Sequence, residues 1–119
     1  PAGSVIKLYF SGDTGVSGVP FGLPPTSKGL DVYLEMLEGC PLPWAFSLAG
    51  GDAVAHPVAR EALERGGHLH VGLEFYGGPR TPTNRELVEE AVALCAAVGR
   101  PVATAAQTAA ILGLPDRSA

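Results

Sequence analysis

At 119 residues the chain is sized for one domain, and apolar residues at 46% against charged residues at 17% exclude a disordered polymer. A formal net charge of −4 with no cluster of Lys or Arg excludes a nucleic-acid surface. No apolar run is long enough to span a membrane and no signal-peptide pattern is present, so a cytoplasmic location is expected and no membrane partner. The two cysteines, Cys40 and Cys95, form no C-x-x-C pair, which leaves neither a disulfide framework nor a zinc knuckle.

Taken in order, Ser4 to Phe10 is dense in β-branched and aromatic residues and predicts a buried strand. Ser11 to Pro25, rich in Gly and Pro, is a long loop that is either a solvated connection or part of a binding mouth. Ser27 is expected to cap a helix that runs to about Glu38, with Leu30, Tyr33, Leu34 and Leu37 on one stripe and Gly39 as its stop. Trp44 to Leu48 reads as a second strand and Pro57 to Arg65 as a second helix, opened by a proline suited to a first turn. Gly66 to Glu74 reads as a third strand. It places Leu69, Val71 and Leu73 on one face, and His68, His70, Gly72 and Glu74 on the other. Thr83-Asn84-Arg85-Glu86 matches a capping box before an apolar-periodic run that ends at Gly99. Thr104 caps a last short helix through Leu112, closed by Gly113 and Pro115.

Strands that alternate with amphipathic helices predict parallel β-α units, whose sites lie at the carboxyl ends of the strands. Helices on one face would leave Val5, Lys7, Tyr9, Ala45, Ser47, His68, His70 and Glu74 uncovered, although parallel sheets are normally buried on both faces. The expected architecture is therefore part of a barrel more than a whole fold. Either further strands or another copy would cover the open face.

His68, His70 and Glu74 supply the donor types that a catalytic zinc accepts. On an ideal strand, however, His70 and Glu74 stand roughly 13 Å apart, too far to share one ion. Glu74 alone, at the end of its strand, is the expected metal or substrate contact. Gly50 and Gly51 could offer backbone N–H groups to an anion, or serve only a tight turn. Ser47 can donate a hydrogen bond inward, but no His/Asp spacing marks it as a nucleophile. Arg80 is a candidate anion contact, while His56 is expected at a helix end.

Gly66-Gly67-His68-Leu69-His70-Val71-Gly72-Leu73-Glu74 resembles the G-G-H-V-R-V-G-L-E-D stretch of the β-keto acid cleavage enzymes, which include 3-keto-5-aminohexanoate cleavage enzyme. Phe46 to Ala49 is similar to that family's W-S-V-A, Asn84 to Glu89 to its N-x-E-L-V-E, and Arg100 to Leu114 to its G-R-x-V-A-T…I-L-G-L. The resemblance covers nearly the whole chain and implies a (β/α)₈ barrel of TIM type, of which residues 1–119 would be the C-terminal part: the last three β-α units plus a short C-terminal helix. It implies a zinc-dependent enzyme that condenses a β-keto acid with acetyl-CoA, giving acetoacetate and a new CoA thioester. Glu74 would be a zinc ligand beside two histidines from an earlier strand, with His70, Ser47, Gly50, Gly51 and Arg80 lining the substrate site. No residue is assigned to the acid–base steps. The family's arginine is His70 here, and the aspartate after its glutamate is Phe75, which points to a different substrate or to replacement by other residues such as Arg80. The alternatives are a catalytically degenerate barrel that binds a ligand or serves as structure, and a small α/β domain that self-associates to a homo-oligomer.

Overall fold

The computed structural model describes residues 1 and 3–115. Three strands, β1 (Ile6–Ser11), β2 (Trp44–Ala49) and β3 (His68–Leu69), form a parallel sheet in the order β1-β2-β3. The helices are α1 (Ser27–Met36), α2 (Pro57–Glu64), α3 (Asn84–Ala97) and α4 (Ala105–Leu112). None of the described helices is long and apolar enough to cross a membrane.

The register pairs Leu8 with Phe46 and Phe46 with Leu69, and, one residue on, Tyr9 with Ser47. Side chains alternate across a pleated sheet, so the first row faces the helices and the second faces away. Leu8, Phe10, Phe46 and Leu48 pack against Leu30 of α1 and Val58, Ala59 and Ala62 of α2. Phe10, Phe46 and Leu30 are the largest side chains fully removed from water, each stabilising the fold by about 1.5–3 kcal/mol. Phe10 meets Tyr33 edge-on at 5.1 Å, and the Tyr33 hydroxyl donates to the Tyr9 carbonyl at 2.7 Å, tying α1 to β1.

Helix starts follow local chemistry. Thr83 and Thr104 both make reciprocal capping boxes, with Glu86 and Gln107 respectively. The first helix is capped by Thr26, not Ser27: the Thr26 hydroxyl accepts the Gly29 N–H at 3.0 Å, while Ser27 donates to Glu61 at 2.6 Å across to α2. His56 caps α2, its Nδ1 accepting the Val58 N–H at 3.3 Å. At the other end of α2, Arg100 donates to the carbonyls of Leu63 at 2.8 Å and Gly67 at 2.6 Å. It thereby satisfies a helix-end carbonyl and holds the start of β3 against the segment after α3.

The third strand departs from expectation. Instead of running to Glu74, its ladder covers only His68–Leu69, extended one step by the His70 N–H to the Phe46 carbonyl at 2.9 Å. It rejoins β2 further on through an isolated pairing of Gly51 with Tyr76. Phe46 faces Leu69 whereas Gly51 faces Tyr76, so the β3 side carries two more residues than the β2 side between those points. The excess is accommodated as a bulge over residues 71–74, fixed by Asn84, whose side-chain oxygen accepts the Leu73 N–H at 3.0 Å. Glu74 therefore lies in a turn and is exposed, not seated inward by strand alternation.

Candidate functional site

The sheet face turned from the helices carries Lys7 and Tyr9 from β1, Ala45 and Ser47 from β2, and His68 and His70 from the β3 line. Among the described residues Ser47, 2% exposed, is the one buried polar residue beside an otherwise apolar core. Its Oγ lies 2.9 Å from His70 Nδ1, and His70 Nε2 lies 3.4 Å from Lys7 Nζ. A lysine ammonium only donates, so Nε2 is taken as its acceptor and the ring proton is assigned to Nδ1, directed at the Ser47 oxygen. The Ser47 O–H is then left to donate into the open space. The same tautomer means that His70 cannot take the serine proton, so the pair is no activated nucleophile. Burial, and then the Lys7 ammonium, lower the His70 pKa from its ordinary value, against a smaller opposing effect of Glu74.

At the carboxyl ends of β2 and β3 a cleft of about 410 Å³ is lined by Ser47, Gly51, His70, Glu74 and Phe75 among others. Beside it Tyr9, Phe21 and Phe75 pack into one aromatic wall. Tyr9 meets Phe21 at 5.1 Å and Phe75 at 5.7 Å edge-on, and Phe21 stacks on Phe75 at 6.0 Å. Phe75 thus contributes apolar surface to the rim of the cleft.

The glycine loops meet in a seam. The Gly50 N–H donates to the Phe75 carbonyl at 2.8 Å, Gly77 N–H to Gly51 carbonyl at 3.1 Å, and Gly12 N–H to Ala49 carbonyl at 2.7 Å. The Thr14 hydroxyl donates to the Gly50 carbonyl at 3.0 Å. A Cβ on Gly12 would lie 2.6 Å from the Gly50 oxygen, and one on Gly77 would lie 2.8 Å from the Gly50 Cα. These glycines let three loops cross within backbone contact, and the Gly50 N–H is committed to Phe75 rather than open to an anion.

Arg80 is not gathered into the cleft. It donates to Asp52 at 2.6 Å and 3.2 Å and to Glu90 at 2.7 Å and 2.9 Å, and its backbone N–H donates to the Tyr76 hydroxyl at 3.3 Å. Tyr76 in turn donates to Asp52 at 3.2 Å. Burial pushes the Asp52 carboxyl up, but hydrogen bonds from Arg80, the Ala55 N–H and Tyr76 outweigh it and hold the pKa below the ordinary value. The guanidinium is half-satisfied by each carboxylate and clamps the loop after Glu74 between the β2–α2 connection and α3.

Among the described residues no group of three or more His, Cys, Asp or Glu side chains could hold a metal ion. The exposed Glu74 can contribute at most one ligand to a site that takes its other donors from outside the chain. Of the predicted site residues, the structure brings together Ser47, Gly51, His70 and Glu74 around one cleft, places Gly50 in the loop seam, and sets Arg80 apart. Lys7 was not singled out by motif; its signal was a lysine between Ile6 and Leu8 on the same strand face as Tyr9.

Residues 12–114 match the family model of the beta-keto acid cleavage enzymes. The chain is 36% identical over 105 residues to a 3-oxoadipate:acetyl-CoA acetyltransferase from Cupriavidus necator, covering 85% of this chain and 37% of that protein. It is 34% identical over 90 residues to a 3-dehydrocarnitine:acetyl-CoA trimethylamine transferase from Rhizobium meliloti, covering 71% of this chain and 28% of that protein. It is 35% identical over 103 residues to a 3-keto-5-aminohexanoate cleavage enzyme from Acetoanaerobium sticklandii, covering 83% and 37%. The chain thus spans between 28% and 37% of the length of these curated relatives. The chain belongs to the β-keto acid cleavage enzyme family.

Proposed function

We propose that the protein carrying this chain is a β-keto acid cleavage enzyme using acetyl-CoA, with this chain as the last three β-α units of its (β/α)₈ barrel. In the reaction, the bond between C2 and C3 of the keto acid breaks and a new bond joins C2 to the acetyl carbonyl carbon, giving acetoacetate. The acetyl carbon–sulfur bond of acetyl-CoA breaks, and the remaining acyl group of the keto acid joins the freed CoA sulfur as a new thioester, so atoms and charge balance. The observation that carries this reading is the cleft at the carboxyl ends of β2 and β3, which brings Ser47, His70 and Glu74 together in a family member. The uncovered sheet face supports the barrel: Lys7, Tyr9 and His68 then line its interior.

In this reading Glu74, at the rim of the cleft, would ligate a zinc or other divalent ion together with donors outside this chain. Such an ion would act as a Lewis acid on the oxygens of the keto acid. The chain's own contributions are separate: the Ser47 hydroxyl donates toward a substrate oxygen, and His70 fixes that donor's direction. The loop seam at Gly12, Gly50 and Gly77 shapes the mouth, and the Tyr9–Phe21–Phe75 wall excludes water from one side.

The rival reading is a barrel that binds ligand without turnover, favoured by Phe75, whose ring cannot exchange a proton. Both are tested by incubating the complete protein, metal-loaded, with acetyl-CoA and a panel of β-keto acids, and following acetoacetate and thioester together. Equal amounts of the two products support the enzyme. Saturable binding with neither product supports the rival.

A further inference from the structure

We propose that Lys7, on the open sheet face beside the cleft, is the carboxylate-recognising cation of the site and that His70, which lines the cleft, is the positioning residue joining it to Ser47. The inference rests on the keto acid reading above. Charge elsewhere on the chain is already partnered. Arg60 pairs with Glu64, Arg65 with Asp31 and Glu61, Arg80 with Asp52 and Glu90, and Arg85 with Glu89. Arg100 is held by two backbone carbonyls behind β3. Lys28 lies on α1, away from the open face. Among the described residues, Lys7 is thus the cation on the open face, and it has no carboxylate within ion-pair distance there.

Its position is built. Lys7 is level with Ala45, and its Nζ reaches His70 Nε2, which belongs to the next inward-facing row, that of Tyr9 and Ser47. An ammonium has three protons; one is engaged by His70, which leaves the others to meet an anion. The Ser47 O–H, freed by the ring proton on Nδ1, donates from the middle strand of the same face. Two donors linked by one rigid ring suit two oxygens of a small carboxylate, and a neutral ring joins them without adding a competing charge. Position 70 therefore does not itself clamp the substrate; it aligns the groups that do.

The test uses the complete protein with acetoacetate as the probe, its binding followed by the ring ¹⁵N signals of His70. The wild type is expected to show an Nδ1-protonated ring whose signals shift on titration. K7M should weaken acetoacetate binding roughly tenfold or more, the scale of a lost charge-assisted hydrogen bond. K7R should recover most of it, since the cation is kept. In turnover, K7M should raise KM with little change in kcat, and H70N should lower kcat by misdirecting Ser47. Unchanged acetoacetate affinity in K7M, no binding by the wild type, or an Nε2-protonated ring would each overturn the proposal. Lys7-dependent binding with no thioester from any keto acid would leave the anion site standing and overturn the enzyme reading instead.

Discussion

Gly50→Ala is a severe test of the loop seam. Gly50 adopts φ +81°, and its Cβ would collide with the backbone of Gly15 and lie 2.7 Å from the Thr14 hydroxyl. A left-handed conformation costs an L-residue about 1–2 kcal/mol, and forcing a methyl into packed backbone costs about 1–3 kcal/mol more because backbone cannot swing aside. The sum, about 2–5 kcal/mol, is a large share of the roughly 5–15 kcal/mol that holds a domain together. Gly18 is the control, since at φ +77° it has nothing within 4 Å of its Cβ, so Gly18→Ala should lose only the conformational part. Urea unfolding of the complete protein, read as a shift in midpoint at constant slope, separates the two. The wild-type Gly50 N–H holds the Phe75 carbonyl, so Gly50→Ala should also loosen the aromatic wall and raise KM. Equal losses for the two variants would refute the seam.

Phe46→Ala, which empties the centre of the sheet–helix core, should cost about 3–5 kcal/mol by the same unfolding assay. Thr83→Ala removes the cap of α3 and should cost about 0.5–2 kcal/mol, with Thr83→Ser recovering most of it. Arg80→Met should leave KM for the keto acid within about twofold while protease cleavage in the loop after Glu74 becomes faster; a large KM increase would return Arg80 to the substrate site. His56, His68 and His70 all have lowered pKa values, burial being the main cause in each; Arg100 adds to it for His68 and Lys7 for His70. The unfolded chain therefore takes up protons first as pH falls below 6.5. Stability should be full above that pH and decline through the lower folded values. Denaturant midpoints between pH 7.5 and 5 check this, and a flat profile would contradict it.

What the sequence made legible was local. The two capping boxes, the proline start of α2 and the Gly113 stop, which sits at φ +62°, depend on residues within a turn of one another. The alternation of strands and helices fixed which face of each strand the helices cover. The bulge over residues 71–74 was not legible, because it is imposed by pairing with β2 and by Asn84, while the apolar alternation of Leu69, Val71 and Leu73 continues through it unbroken. That alternation placed Glu74 inward; the turn places it at the exposed rim. Arg80 looked available because its partner Asp52 is 28 residues away. Lys7 was legible as a residue of the open face but not as a partner of His70, because that contact spans 63 residues.

The measurement that bears most directly on the account is the paired formation of acetoacetate and a CoA thioester by the complete, metal-loaded protein supplied with acetyl-CoA and β-keto acids. The account predicts one thioester for each acetoacetate with at least one keto acid, and loss of both products in Glu74→Gln. A folded protein that binds keto acid yet forms neither product across the panel, or one whose turnover survives Glu74→Gln unchanged, would contradict it.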